Sequence, residues 1–128
     1  MTPEEILVSH LLADSDLVAL VSQRIYPLAA PQDAMMPAIA YQRVGTRVAQ
    51  AHDGASYTDV RFQLSCLSDS YAGARALADA VSACANGRRG SAAGKSYVVF
   101  LEQVMDGYVD LEARAAPLVR LELRMLVF

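Results

Sequence analysis

"PLVRLELRMLVF", residues 117–128, alternates from its third position as far as Met125. Val119, Leu121, Leu123, Met125 and Val127 lie on one side, and Arg120, Glu122 and Arg124 on the other. Successive side chains of an extended chain point to opposite faces, so this pattern specifies a strand with one face buried and the other in water. The stretch from Tyr57 to Cys66 repeats it, with Val60, Phe62, Leu64 and Cys66 set against Asp59, Arg61, Gln63 and Ser65. Two such strands require an apolar layer to cover them, and the remaining sequence must supply it.

Three segments have helical character. Thr2 is placed to cap a helix in which Pro3 takes the first position, Glu5 completes a capping box, and Ile6, Leu7, Leu11 and Leu12 form the apolar stripe. Asp14 or Ser15 is placed to cap a shorter turn carrying Leu17, Val18, Leu20 and Val21. Ser68 or Asp69 is the expected cap of a helix over Tyr71 to Ala85, which Asn86-Gly87 ends. The buried stripe of that helix is Ala74, Leu77, Ala78, Val81 and Cys84, small enough to let it lie close on a sheet.

Between these segments, prolines at 27, 31 and 37 exclude regular helix and predict an irregular, extended arm over residues 24–37. Strand-like sequence resumes from Ala38 to Val44, and the polar run "GTRVAQAHDGAS" predicts a long projecting hairpin loop over residues 45–57. Farther on, Asp106-Gly107 between "SYVVFLEQVM" and "YVDLEA" predicts a two-residue hairpin turn. The expected fold class is therefore α+β. A mainly antiparallel sheet of about five strands is covered on one face by N-terminal helices and one central alanine-rich helix, and residues 1–128 form a single domain.

The 128 residues, 54% hydrophobic, suffice for one core. The apolar runs are far shorter than a membrane helix needs, and the start lacks the basic region of a secretory signal, so no membrane role and no export are expected. A net charge of −3 argues against a dedicated nucleic-acid binder. Cys66 and Cys84 are expected to be buried free thiols. His10 and His52 have no nucleophile partner at a recognisable spacing, the carboxylates are scattered, and neither an enzyme nor a cofactor or metal site is expected.

"GRRGSAAGKS", residues 87–96, resembles a phosphate-binding loop but fails its spacing, because Arg89 stands where the first glycine should be. It also leaves a helix and enters a strand, the reverse of the order in which a helix N-terminus meets an anion. A flexible connector is expected there, with a nucleotide-binding protein or small enzyme using residues 87–96 as the alternative reading.

Arg24-Ile25-Tyr26-Pro27, then Pro31-Gln32, then Pro37 leading to Tyr41-Gln42, resembles the tail completion proteins (tail terminators, head-tail joining proteins) of long-tailed bacteriophages, prophages and gene transfer agents. The likeness holds in motif from about Leu11 to Gly87 and in element order to Phe128. It implies a structural virion protein: a homo-oligomeric ring, usually a hexamer, at the head-proximal end of the tail. Such a ring would meet the tail tube protein and the head-tail connector protein while DNA passes through without specific binding. On that expectation the arm and loop supply the interface, with Arg24, Tyr26, Leu28, Met35, Met36, Arg47, His52 and Asp53 as candidate contact residues.

Overall fold

The structure is a computed structural model that describes residues 2–31, 33–50, 56–111 and 114–128. In chain order the elements are α1 (Pro3–Leu12), α2 (Ser15–Val21), β1 (Ile25–Pro27), β2 (Ala38–Gln50), β3 (Ser56–Leu67), α3 (Tyr71–Ala85), β4 (Arg88–Ala92), β5 (Lys95–Leu111) and β6 (Arg114–Val127). The six strands form one sheet in the order β1-β2-β3-β6-β5-β4. Among the described residues only the β1–β2 pair is parallel.

The helices begin where their capping chemistry places them. Thr2 Oγ1 accepts the Glu5 amide at 3.2 Å, and Asp14 Oδ1 accepts that of Leu17 at 3.0 Å. For α3 the cap is Ser70, which accepts the Gly73 amide at 3.0 Å, and not Ser68 or Asp69. All three helices cover one face of the sheet. Ile6, Leu7 and Leu11 of α1, Leu17 and Val21 of α2, and Leu77 and Val81 of α3 close over Phe62, Leu64, Leu121, Leu123 and Met125. The strand faces assigned to β3 and β6 by alternation are those observed, since Val60, Phe62, Leu64, Cys66 and the odd positions 119–127 are all buried.

Four expectations are corrected, and six strands replace about five. The arm is not devoid of regular structure, because Ile25–Pro27 pairs in parallel with Ile39–Tyr41. Pro27 is tolerated there because β1 is an edge strand, whose outward side has no donor to lose. The predicted 45–57 loop is mostly strand: β2 continues to Gln50 and β3 starts at Ser56, across a register shift between Arg43 and Gly45. Polarity misled the reading, because a two-stranded ribbon exposed on both faces needs no apolar alternation.

Asp106-Gly107 is no turn. β5 runs through it, with Asp106 opposite Val119 and Gly107 opposite Leu118, so the long pairing with β6 overrides a strong local turn preference. Residues 88–96 are not a flexible connector either. They form β4, a turn at Ala93-Gly94 and the start of β5. Both turn residues have positive φ, 52° and 79°, the hairpin geometry that fits strand twist and that glycine adopts without strain.

The opposite face of the sheet is not bare. Ala30 and Met36 of the arm fold back onto Ala40, Leu67, Ala116 and Leu118, making a second, smaller apolar cluster.

Candidate functional site

The arm is fastened at both ends by one side chain. Arg24 Nε donates to the Pro37 carbonyl at 3.0 Å and Nη2 to the Leu20 carbonyl at 3.1 Å, so the chain leaves and re-enters the sheet at a fixed spacing. Within that frame Tyr26 is half-buried opposite Ala40 in β1, and Met36 turns inward onto the second cluster. Leu28 and Met35 do the reverse, being 75% and 71% exposed. Leu28 also holds a left-handed backbone (φ 68°) while its amide donates to the Tyr41 carbonyl at 2.7 Å. A leucine in that conformation is strained, and this one presents its side chain to solvent.

Arg47 lies exposed on β2, which also shows Val44 and Val48 to solvent. His52 and Asp53 lie outside the described residues. The structure therefore brings Arg24, Tyr26, Leu28, Met35 and Met36 together in the arm and sets Arg47 apart on the β2–β3 ribbon. That ribbon extends past the end of β6, since Gln50 pairs with Ser56 while β6 reaches β3 only as far as Thr58. At the opposite end β5 and β6 extend past β3, pairing Leu111 with Arg114. This second ribbon escaped sequence reasoning because nothing between Leu111 and Arg114 is a turn residue, while Asp106-Gly107 offered a false turn.

The sheet face away from the helices carries the charge. Asp59, 5% exposed, accepts from Arg124 Nε and Nη2 at 3.0 and 2.7 Å. That hydrogen bonding, with the positive charge of Arg124, Arg61 and Arg47 behind it, holds the Asp59 carboxyl below its usual range. Arg61 and Glu102 pair more loosely, at 3.8 Å. Beyond Arg124 an apolar groove opens between Val98, Phe100, Leu126 and Phe128, with Arg89 at its rim. On the helix side Arg43 pairs with Glu4 at 2.6 Å, and Asp106 accepts from the Tyr71 hydroxyl at 2.8 Å.

His10 is a half-buried boundary residue with two hydrogen-bond partners. The Cys84 carbonyl can only accept, so His10 Nε2 donates to it (2.9 Å), leaving Nδ1 to accept from the Tyr97 hydroxyl (2.8 Å). The imidazole thus ties α1 to α3 and β5, and no signal in the local sequence announced it. Both cysteines are free and buried. Burial pushes both thiols up, that of Cys84 to about 11. Among the described residues no group of three or more His, Cys, Asp or Glu side chains could hold a metal, and no helix is long and apolar enough to cross a membrane. Residues 88–92 pair with 95–99 in a ladder and start no helix, a geometry with no phosphate cradle in it.

The family described as tail completion protein gp17 matches residues 5–107, from the first turn of α1 to the middle of β5. The chain belongs to this family. The arm, α2, α3, the first hairpin and all of α1 from Glu5 onward fall within the matched stretch. A solved structure, a chain of the virion of a native gene transfer agent particle, is similar over 95% of this chain and 92% of its own length. Its TM-score is 0.67 at 22% identity, a likeness of fold. No curated protein matches the sequence. The family match thus covers residues 5–107, and the likeness of fold covers nearly the whole chain.

Proposed function

We propose that this tail completion protein is a structural component of the virion. It forms a ring of six subunits at the head-proximal end of the tail tube, ends tube growth and gives the head connector a surface to dock on. The observation that carries the reading is family membership from residue 5 to 107. The arm supports it: Leu28 and Met35 expose apolar side chains from a segment whose ends Arg24 fixes, so little conformational freedom is lost when a neighbour or the tube covers them. A net charge of −3 supports passage of DNA through the opening without a grip on its phosphates.

Negative-stain microscopy of the purified protein, alone and with tail tubes, tests this. Rings that cap one end of the tube are expected, with capping lost in Leu28→Ser and Met35→Ser variants that stay folded by circular dichroism. Uncapped tubes beside a protein that stays monomeric would overturn the ring, and full capping by both variants would overturn the role of the arm.

A further inference from the structure

Both long edges of the sheet are open, and they differ in sign. β1 flanks β2 only along Ile39–Tyr41, which leaves the outer side of Gln42–Gln50, away from β3, without a strand among the described residues. β4 flanks β5 only along Lys95–Val99, and past the Leu101 amide, bonded to Asn86 Oδ1, no strand among the described residues covers that edge as far as Leu111. Open edges invite unwanted pairing. The β2 edge carries Arg43 and Arg47 and no acid, whereas the β5 edge carries Glu102, Asp106 and Asp110 and no base. Two β2 edges repel one another, as do two β5 edges, while unlike edges attract. Sign thus disfavours a two-fold dimer and favours the head-to-tail contact from which rings close.

We infer that the β2 edge of one subunit pairs with the β5 edge of the next, so that a second copy of this chain continues the sheet. This rests on the ring reading above. In two copies held in one orientation, β2 and β5 run in opposite directions, since the intervening pairs β2–β3, β3–β6 and β6–β5 are all antiparallel. The junction is therefore an ordinary antiparallel ladder.

The fit also sets a slip. β1 blocks the lower part of the one edge and β4 the upper part of the other, so the open segments meet only when the neighbour slides along the strand direction. Keeping the helices of both copies on the same side requires an even number of residues, which the observed registers narrow to about six or eight. At ~3.3 Å per residue against the four strands (β2, β3, β6 and β5) that each copy adds to the continuous sheet, spaced ~4.8 Å apart, the strands would tilt by about 46° for a slip of six and about 54° for a slip of eight from the ring axis. Closed barrels of strands tilt by roughly 35–45°, so of the two slips the smaller is the one that lets the sheet close. Arg43 keeps Glu4 and Asp106 keeps Tyr71 and Arg75 as partners within the chain, and at a slip of six Arg43 lies opposite the neighbour's Tyr108 and diagonal to its Asp106.

The experiment is crosslinking with a short bis-maleimide. Val48 and Val104 are both exposed on the helix side of the sheet and stand close across the junction for a slip of six or eight, but three strands apart within one chain. In the double variant Val48→Cys, Val104→Cys a covalent ladder up to the full ring is expected. Each single variant should give none, and wild type, whose own two thiols are buried, none either. A charge test runs beside it: Arg47→Glu with Arg43→Glu should abolish assembly, and adding Glu102→Lys with Asp106→Lys should restore it. Rings visible by microscopy with no ladder would overturn the edge junction and leave the ring standing. Absence of rings for the wild type under every condition, tail tubes included, would overturn both.

Discussion

At the scale of single residues, Asp59 shows how a polar group is made safe at the centre of a sheet. A nearly inaccessible carboxylate would carry a large desolvation cost, which the two-point contact with Arg124 offsets. Because the folded state holds this carboxyl below its usual range, its contribution is complete above the ordinary carboxylate value of about 4 and is lost as the pH falls through the folded value. Asp59→Asn is therefore expected to lower the urea midpoint at pH 7 and to flatten its decline between pH 5 and pH 2; an unchanged acid limb would show that the pair contributes nothing. Gly90 is a steric counterpart. A Cβ there would lie 2.6 Å from the Tyr97 hydroxyl and 2.7 Å from its ring, within the side chain that His10 binds. Gly90→Ala should cost about 1–3 kcal/mol in chemical denaturation, the usual penalty of overpacking, while Ala at position 94 would strain only the turn.

At the scale of elements, the best-read strands were those with one wet and one dry face. Leu123 is buried and Glu122 half-buried on the opposite side, so Leu123→Ala should cost on the order of 2–5 kcal/mol and Glu122→Ala little, as measured by thermal unfolding. Equal losses would mean that the two faces are exchanged. Helix starts were legible for a similar reason: Thr2 and Asp14 act on their own next turn, and the short range of a cap lets the sequence declare it. What could not be read depends on partners distant in sequence. Asp106-Gly107 has the chemistry of a turn, yet Val119 and Leu118 opposite it keep it extended. Ile25–Pro27 is a strand only because Ile39–Tyr41 lies alongside. For the candidate site, exposure at Leu28 and Met35 agrees with the apolar load of the arm, whereas nothing in the neighbourhood of Met36 marked it as the one that would fold inward onto Leu67 and Leu118.

At the scale of the whole molecule, two long hairpins are joined along a single seam. β2 with β3, and β5 with β6, pair between neighbours in the chain, whereas β3 and β6 meet across a wide sequence gap, Thr58 opposite Val127. The helices pack over that seam, with Phe62 and Leu64 of β3 beside Leu121 and Leu123 of β6 beneath them. Amide hydrogen exchange should be slowest along β3 and β6 and fastest at the ribbon ends, around Val48 and Tyr108; uniform protection along the hairpins would contradict this. The seam also has a consequence in time. Closing a loop of that length before any contact compensates for it is the kind of step that slows folding, and until β6 has been synthesised the three helices have only half a floor to settle on. A nascent chain stopped short of Pro117 would hold hairpin β2–β3 and no finished core, so the subunit becomes competent to meet its neighbours late in its own synthesis.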